Sequence, residues 1–168
     1  KDSDGENRLV YDEGRAGFTT FDYTSGKSYT GGSDGGGDES VNRWYDGTKF
    51  STSYYFANHF PKEQIAPTSF NFFLGMNDLV GSKTIDEIIA NVKVMLDDII
   101  SYNNTLKISV CSPQLRWGVD YNEQKRFMQF AIALEELCKT YNNVVYVPLI
   151  ICMDSTNNYN MTDVTINS

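Results

Sequence analysis

The sequence predicts an α/β domain built on a parallel sheet. Three apolar segments of strand length alternate with two longer segments of helical periodicity, and the connections between them are short. Such a strand, helix, strand, helix, strand succession closes through βαβ crossovers, so the expected architecture is three-layered, α/β/α. The 168 residues suffice for one domain, 1–168, with a core of its own.

In chain order, residues 8–11 are a short apolar-containing run that ends in Asp12-Glu13-Gly14-Arg15-Ala16-Gly17, where glycine permits a tight turn. Residues 18–23 read as the start of a short helix capped by Thr19 or Thr20. From 25 to 40 the chain holds six glycines in sixteen residues and almost nothing to bury, which predicts a loop. It is not a phosphate cradle, because it lacks a Gly-Lys-Ser/Thr ending and its own aspartates would repel phosphate. Residues 41–60 are rich in aromatics: Trp44, Tyr45, Phe50, Tyr54, Tyr55, Phe56 and Phe60. They could line a sugar-binding surface or cover the core beneath the loop, and core cover is the favoured reading.

The rest is strongly patterned. Residues 69–74 (SFNFFL), between Pro67 and Gly75, read as a buried strand. Thr84 and Glu87 form a capping box at a helix start, and Ile85, Ile88, Ile89, Val92, Met95, Leu96 and Ile99 then recur on one face to about Tyr102. A second strand, 106–111, ends at Ser112-Pro113. A second helix spans about 123–141 with an apolar stripe of Phe127, Phe130, Ala131, Leu134, Leu137, Cys138 and Tyr141, and a third strand follows at 143–149. The tail, 154–168, is polar, with Val164 and Ile166 alternating as in a short extended piece.

Composition narrows the function. The net charge is −8 with no Lys/Arg-rich run, so nucleic-acid phosphate and anionic membranes would meet like charge and are excluded as partners. No apolar run approaches the ~20 residues that span a bilayer. Residues 1–7 are polar, carry no secretory signal and read as an abrupt start within a domain. The three cysteines, Cys111, Cys138 and Cys152, have no metal-site spacing and an odd count, and Cys111 and Cys138 fall in apolar segments as small buried hydrophobes would. No metal and no cofactor is expected.

Ligands of open parallel sheets bind beyond the carboxyl ends of the strands. Two sequences fall at such ends: Glu13-Gly14-Arg15-Ala16-Gly17-Phe18-Thr19-Thr20 and Leu74-Gly75-Met76-Asn77-Asp78. An asparagine there can aim its amide into a cleft, and a nearby glycine N–H can supply a second donor, which together make an oxyanion hole. Gly75-Met76-Asn77-Asp78 is equally explained as a strand-ending turn, where Gly, Asn and Asp are common for steric reasons.

Taken together, these residues resemble the SGNH (GDSL-type) hydrolases. FFLGMND is similar to that family's third block, with its Gly-x-Asn-Asp core, and EGRAGFTT to its second. Residues 43–50 (RWYDGTKF) resemble the variable stretch that bacterial and phage members place between the two. The resemblance covers nearly the whole chain and implies a flavodoxin-like sheet and a serine esterase. It implies that Gly17 donates a backbone N–H and Asn77 a side-chain N–H to the oxyanion. Asp78 would brace the loop, and Glu13, Arg15 and Phe18 would line the cleft edge against substrate.

Two blocks of the family are missing from the sequence. Nothing before Asp12 matches the Gly-Asp-Ser block that holds the nucleophile, and no Asp-x-x-His follows. The single histidine, His59, lies in the aromatic stretch and reads as a surface or core-edge residue. Without a base no serine here becomes an activated nucleophile. In the strand order 2-1-3-4-5 the first strand lies between the second and third, so the chain alone would leave the sheet incomplete. The expectation is therefore part of a longer protein whose remaining segment completes the sheet and supplies Ser and Asp/His. Its substrate would be a small ester or an acylated carbohydrate, and its setting extracellular or on a virion in preference to the cytoplasm. A reading of a different class is a non-catalytic carbohydrate-binding or structural module of a phage particle or cell surface. A flavodoxin-like cofactor binder is weaker, since no Gly-rich phosphate loop follows a first strand.

Overall fold

A computed structural model of the chain describes residues 18–26, 42–62, 66–114 and 120–149. In chain order they form α1 (Thr20–Ser25), α2 (Thr52–Asn58), β1 (Ser69–Phe72), α3 (Met76–Val80), α4 (Ile85–Tyr102), β2 (Lys107–Cys111), α5 (Tyr121–Cys138) and β3 (Val144–Val147). The strands form a parallel sheet in the order β1-β2-β3. The chain is therefore α/β. The apolar-containing run at 8–11, residues 27–40 of the expected loop at 25–40, and the tail at 154–168 lie outside the described residues, as does Cys152.

The two long helices form where the periodicity places them. Thr84 caps α4 by accepting from the Glu87 N–H while the Glu87 carboxylate accepts from the Thr84 N–H, so two donors that the helix cannot satisfy are bonded reciprocally. Ile88, Val92, Met95, Leu96 and Ile99 are its buried face. In α5 the buried residues are Phe127, Phe130, Ala131, Leu134, Leu137 and Cys138, and Asp120 supplies the cap. Burial pushes the Cys138 thiol up to about 11, with Glu135 adding to the shift, so it stays protonated at neutral pH and behaves as an apolar side chain.

The sheet is covered less evenly than expected. In register, Phe70, Ile108 and Val144 lie side by side, as do Phe72, Val110 and Tyr146, and these rows join the core with α4 and α5. The intervening row, Asn71, Ser109 and Val145, projects from the other side, and Val145 is 62% exposed. Adjacent strands linked by crossovers of one hand put both helices on one face, and α4 and α5 indeed touch. Among the described residues there are thus two layers, and a second helical layer on the opposite face is not among them. The segment 69–74 is correspondingly not a fully buried strand: Ser69 and Asn71 are exposed, Phe72 is buried and Phe73 is exposed again. Its polar-apolar alternation, not its mean hydropathy, describes it.

The aromatic stretch belongs to the core, and it contains a helix, α2, that its crowded aromatics hide from periodicity. Ser51 caps α2, and the Asp98 carboxylate of α4 accepts from the Thr52 N–H at 2.6 Å. The buried Trp44 ring stacks on Phe50 at 5.5 Å and on Tyr55 at 3.9 Å between centroids. Their faces are thereby used up inside the protein and do not form a sugar platform. No helix among the described residues is long and apolar enough to cross a membrane.

Phe127 is fully buried between α5 and the sheet. Phe127→Ala is expected to lower the unfolding free energy by ~3–5 kcal/mol. Urea denaturation checks this, and a loss below ~1 kcal/mol would contradict the assigned core.

Candidate functional site

The carboxyl end of β1 leads through Phe73 and Leu74 to Gly75, whose φ of 104° caps α3 in the left-handed region. A Cβ at Gly75 would stand 2.7 Å from the Phe130 ring of α5, so both backbone angle and space demand glycine. The turn this allows delivers Asn77 and Asp78 into the start of α3.

Asn77 donates from Nδ2 to the Phe18 carbonyl oxygen at 3.0 Å. The two motif-bearing segments, 59 residues apart in sequence, therefore meet through this amide. A carboxamide carries a second N–H that a single acceptor leaves for another partner. Gly17, Glu13 and Arg15 lie outside the described residues. Phe18 corrects its expected role. Its ring is 3% exposed and meets Tyr23 edge-on in the core, so its carbonyl, not its side chain, takes part in this corner.

Asp78 is 1% exposed. Its carboxylate accepts from the Thr20 N–H at 3.1 and 3.0 Å and from the Thr20 hydroxyl at 2.7 Å. Thr19, not Thr20, is the cap of α1: its hydroxyl accepts from the Asp22 N–H, and the Asp22 carboxylate accepts from the Thr19 N–H. Thr20 is left to grip Asp78. Burial pushes the Asp78 carboxyl above its ordinary 3.8; the Thr20 bonds oppose the shift, and the charge of Asp22 adds to it.

The far side of the turn is held by α5. Arg126 donates from Nη1 to the carbonyls of Leu79 at 2.6 Å and Gly81 at 2.9 Å, and from Nη2 to that of Lys83. Neither this contact nor the Thr20–Asp78 contact has a sequence signal, because each joins residues more than forty positions apart. His59 ends α2, with its ring beside Tyr54 and Tyr55. Among the described residues no group of His, Cys, Asp and Glu could hold a metal ion.

The Asp78 shift makes a pH prediction. A carboxyl whose folded pKa lies above its unfolded value binds protons more readily when folded. Its contribution to stability is full below about 3.8 and is lost as pH rises through the folded value. Relative to Asp78→Asn, the wild type should therefore gain stability as pH falls from 7 toward 4. Urea unfolding of both proteins across that range tests it; a constant or opposite difference would refute it.

No family model matches the chain, and no curated protein does. A solved structure from Streptococcus pneumonia, provisionally described as a platelet activating factor, is similar to it at 16% identity with a TM-score of 0.49. That likeness covers 54% of this chain and 46% of the other, so the chain spans about half of that structure's length. At this level it carries no argument about what the chain does.

Proposed function

We propose that this chain carries the oxyanion-stabilising part of an SGNH-type serine ester hydrolase acting on an ester such as an O-acetyl group on a carbohydrate. The observation that supports this most is the Asn77 amide bonded to the Phe18 carbonyl, which joins the EGRAGFTT and FFLGMND segments at the carboxyl end of β1. That is the end where open parallel sheets bind ligands. Gly17 is one peptide bond from Phe18, and it has no side chain to obstruct its N–H. In the flavodoxin-like order proposed for the intact fold, β1, β2 and β3 are the third, fourth and fifth strands, and their parallel sequential pairing is compatible with it.

In this reading Asn77 and Gly17 donate to the ester oxygen as it becomes negative, and Asp78 holds Asn77's turn against α1. Glu13 and Arg15 contact substrate at the rim. The nucleophilic serine and its Asp/His pair come from outside the chain. Serine oxygen bonds to the carbonyl carbon, the histidine takes its proton, and the carbonyl π electrons move to the oxygen that the amides hold. Collapse of this intermediate breaks the ester C–O bond, and the alcohol leaves with the proton. Fixed donors act here without reorganising at the moment of reaction, so each contributes ~100–1000-fold in rate.

Asn77→Ala in the full protein is expected to lower turnover of an aryl acetate by ~100-fold or more, with the circular dichroism spectrum retained. Undiminished turnover would remove Asn77 from the mechanism and the reading with it.

A further inference from the structure

α3 is only five residues long and is followed by the open turn 81–84, so its own hydrogen bonds do little to hold the Asn77 amide still. The Leu79 N–H donates to the Gly75 carbonyl at 2.9 Å, and the Gly81 N–H donates to the carbonyls of Asn77 at 3.2 Å and Asp78 at 3.1 Å. On these same two residues, Leu79 and Gly81, the Arg126 guanidinium takes the carbonyls, and it takes Lys83's as well. Leu79 and Gly81 are thus bonded directly to a single planar cation, and Asn77 and Asp78 are linked to it through Gly81. Arg126 stands one helical turn before Phe130, whose ring lies against Gly75. The side chains of α5 therefore brace the turn at both its entry and its exit.

We infer that Arg126 is a positioning residue for Asn77: by fixing the Leu79 carbonyl in α3 and the Gly81 and Lys83 carbonyls just beyond it, its guanidinium holds the Asn77 amide at the Phe18 carbonyl. The catalytic part of this inference rests on the reading of Asn77 as an oxyanion donor; the geometric part does not. A guanidinium presents several donors in a rigid plane and so can span three carbonyls, whereas an ammonium is a single point that cannot hold all three in that arrangement. Arg126→Lys keeps the charge and loses the fork.

Two measurements on the full protein decide it. With an aryl acetate, Arg126→Lys is expected to lower kcat on the order of 10–100-fold, as a small misplacement of a catalytic group does, with KM changed less than about twofold. Guanidinium ion added to Arg126→Ala should restore part of kcat, and ammonium should not. Independently of any activity, hydrogen exchange read by NMR should show the Leu79 and Gly81 amides of Arg126→Lys exchanging about tenfold faster, with those of Ile88 to Ile99 in α4 unaltered. Wild-type kcat in Arg126→Lys overturns the inference, as does unaltered exchange at Leu79 and Gly81, or exchange that rises equally throughout α4. A wild-type protein that hydrolyses no ester would instead defeat the hydrolase reading, and the exchange result alone would then decide whether Arg126 holds this turn.

Discussion

Asp78 has surrendered nearly all of its contact with water, and a carboxylate in that position persists only if its oxygens are bonded by the protein. Thr20 provides the bonds, from its backbone N–H and its hydroxyl, across 58 residues of chain. The first of these satisfies a donor that the start of α1 would otherwise leave open, so one carboxylate answers two needs at once. It also fixes where α1 lies relative to α3, and with that the distance between Phe18 and Asn77. Losing one partner of such a bond leaves a buried polar group unsatisfied, at a cost of ~1–3 kcal/mol. The corner that holds Asn77 therefore exists because Asp78 cannot go elsewhere.

The remaining supports converge on the same corner from the hydrophobic side. Phe130 lies close enough to Gly75 that no larger residue fits, which keeps α5 tight against the turn. On the other flank, buried Asn42 donates to the Asp22 and Tyr23 carbonyls near the end of α1 and accepts from the Trp44 N–H. It thereby joins α1 to the segment that carries the Trp44, Phe50 and Tyr55 stack, which shares the core with α4. The aromatic stretch is thus tied to α1 through Asn42 and packs through α2 against α4.

Local chemistry was legible wherever the signal lay within a few residues. The Thr84–Glu87 box placed the start of α4, and the apolar stripes contain every buried residue of α4 and α5, because a helix repeats every 3.6 residues whatever it packs against; Ile85 and Ile89 are only half-buried, and Tyr141 lies beyond the end of α5. The strands were found, but the burial of the first was misjudged. SFNF alternates polar and apolar, the pattern of one covered face, and the aromatic run invited the reading of two. α2 was missed because it is only seven residues long and its aromatics, Tyr54, Tyr55 and Phe56, are consecutive, which leaves no helical repeat to read.

The sequence by itself determined the α/β class, the two long helices with their core faces, and the two short motifs at the ends of apolar segments. Each of these depends on neighbours in the chain. Only the tertiary structure decided that Asn77 meets Phe18, that Phe18 turns its ring into the core, that Thr20 grips Asp78, and that Arg126 closes the turn from α5. Such pairings are set by how the layers stack, and side chains more than forty residues apart leave no mark on each other's local pattern.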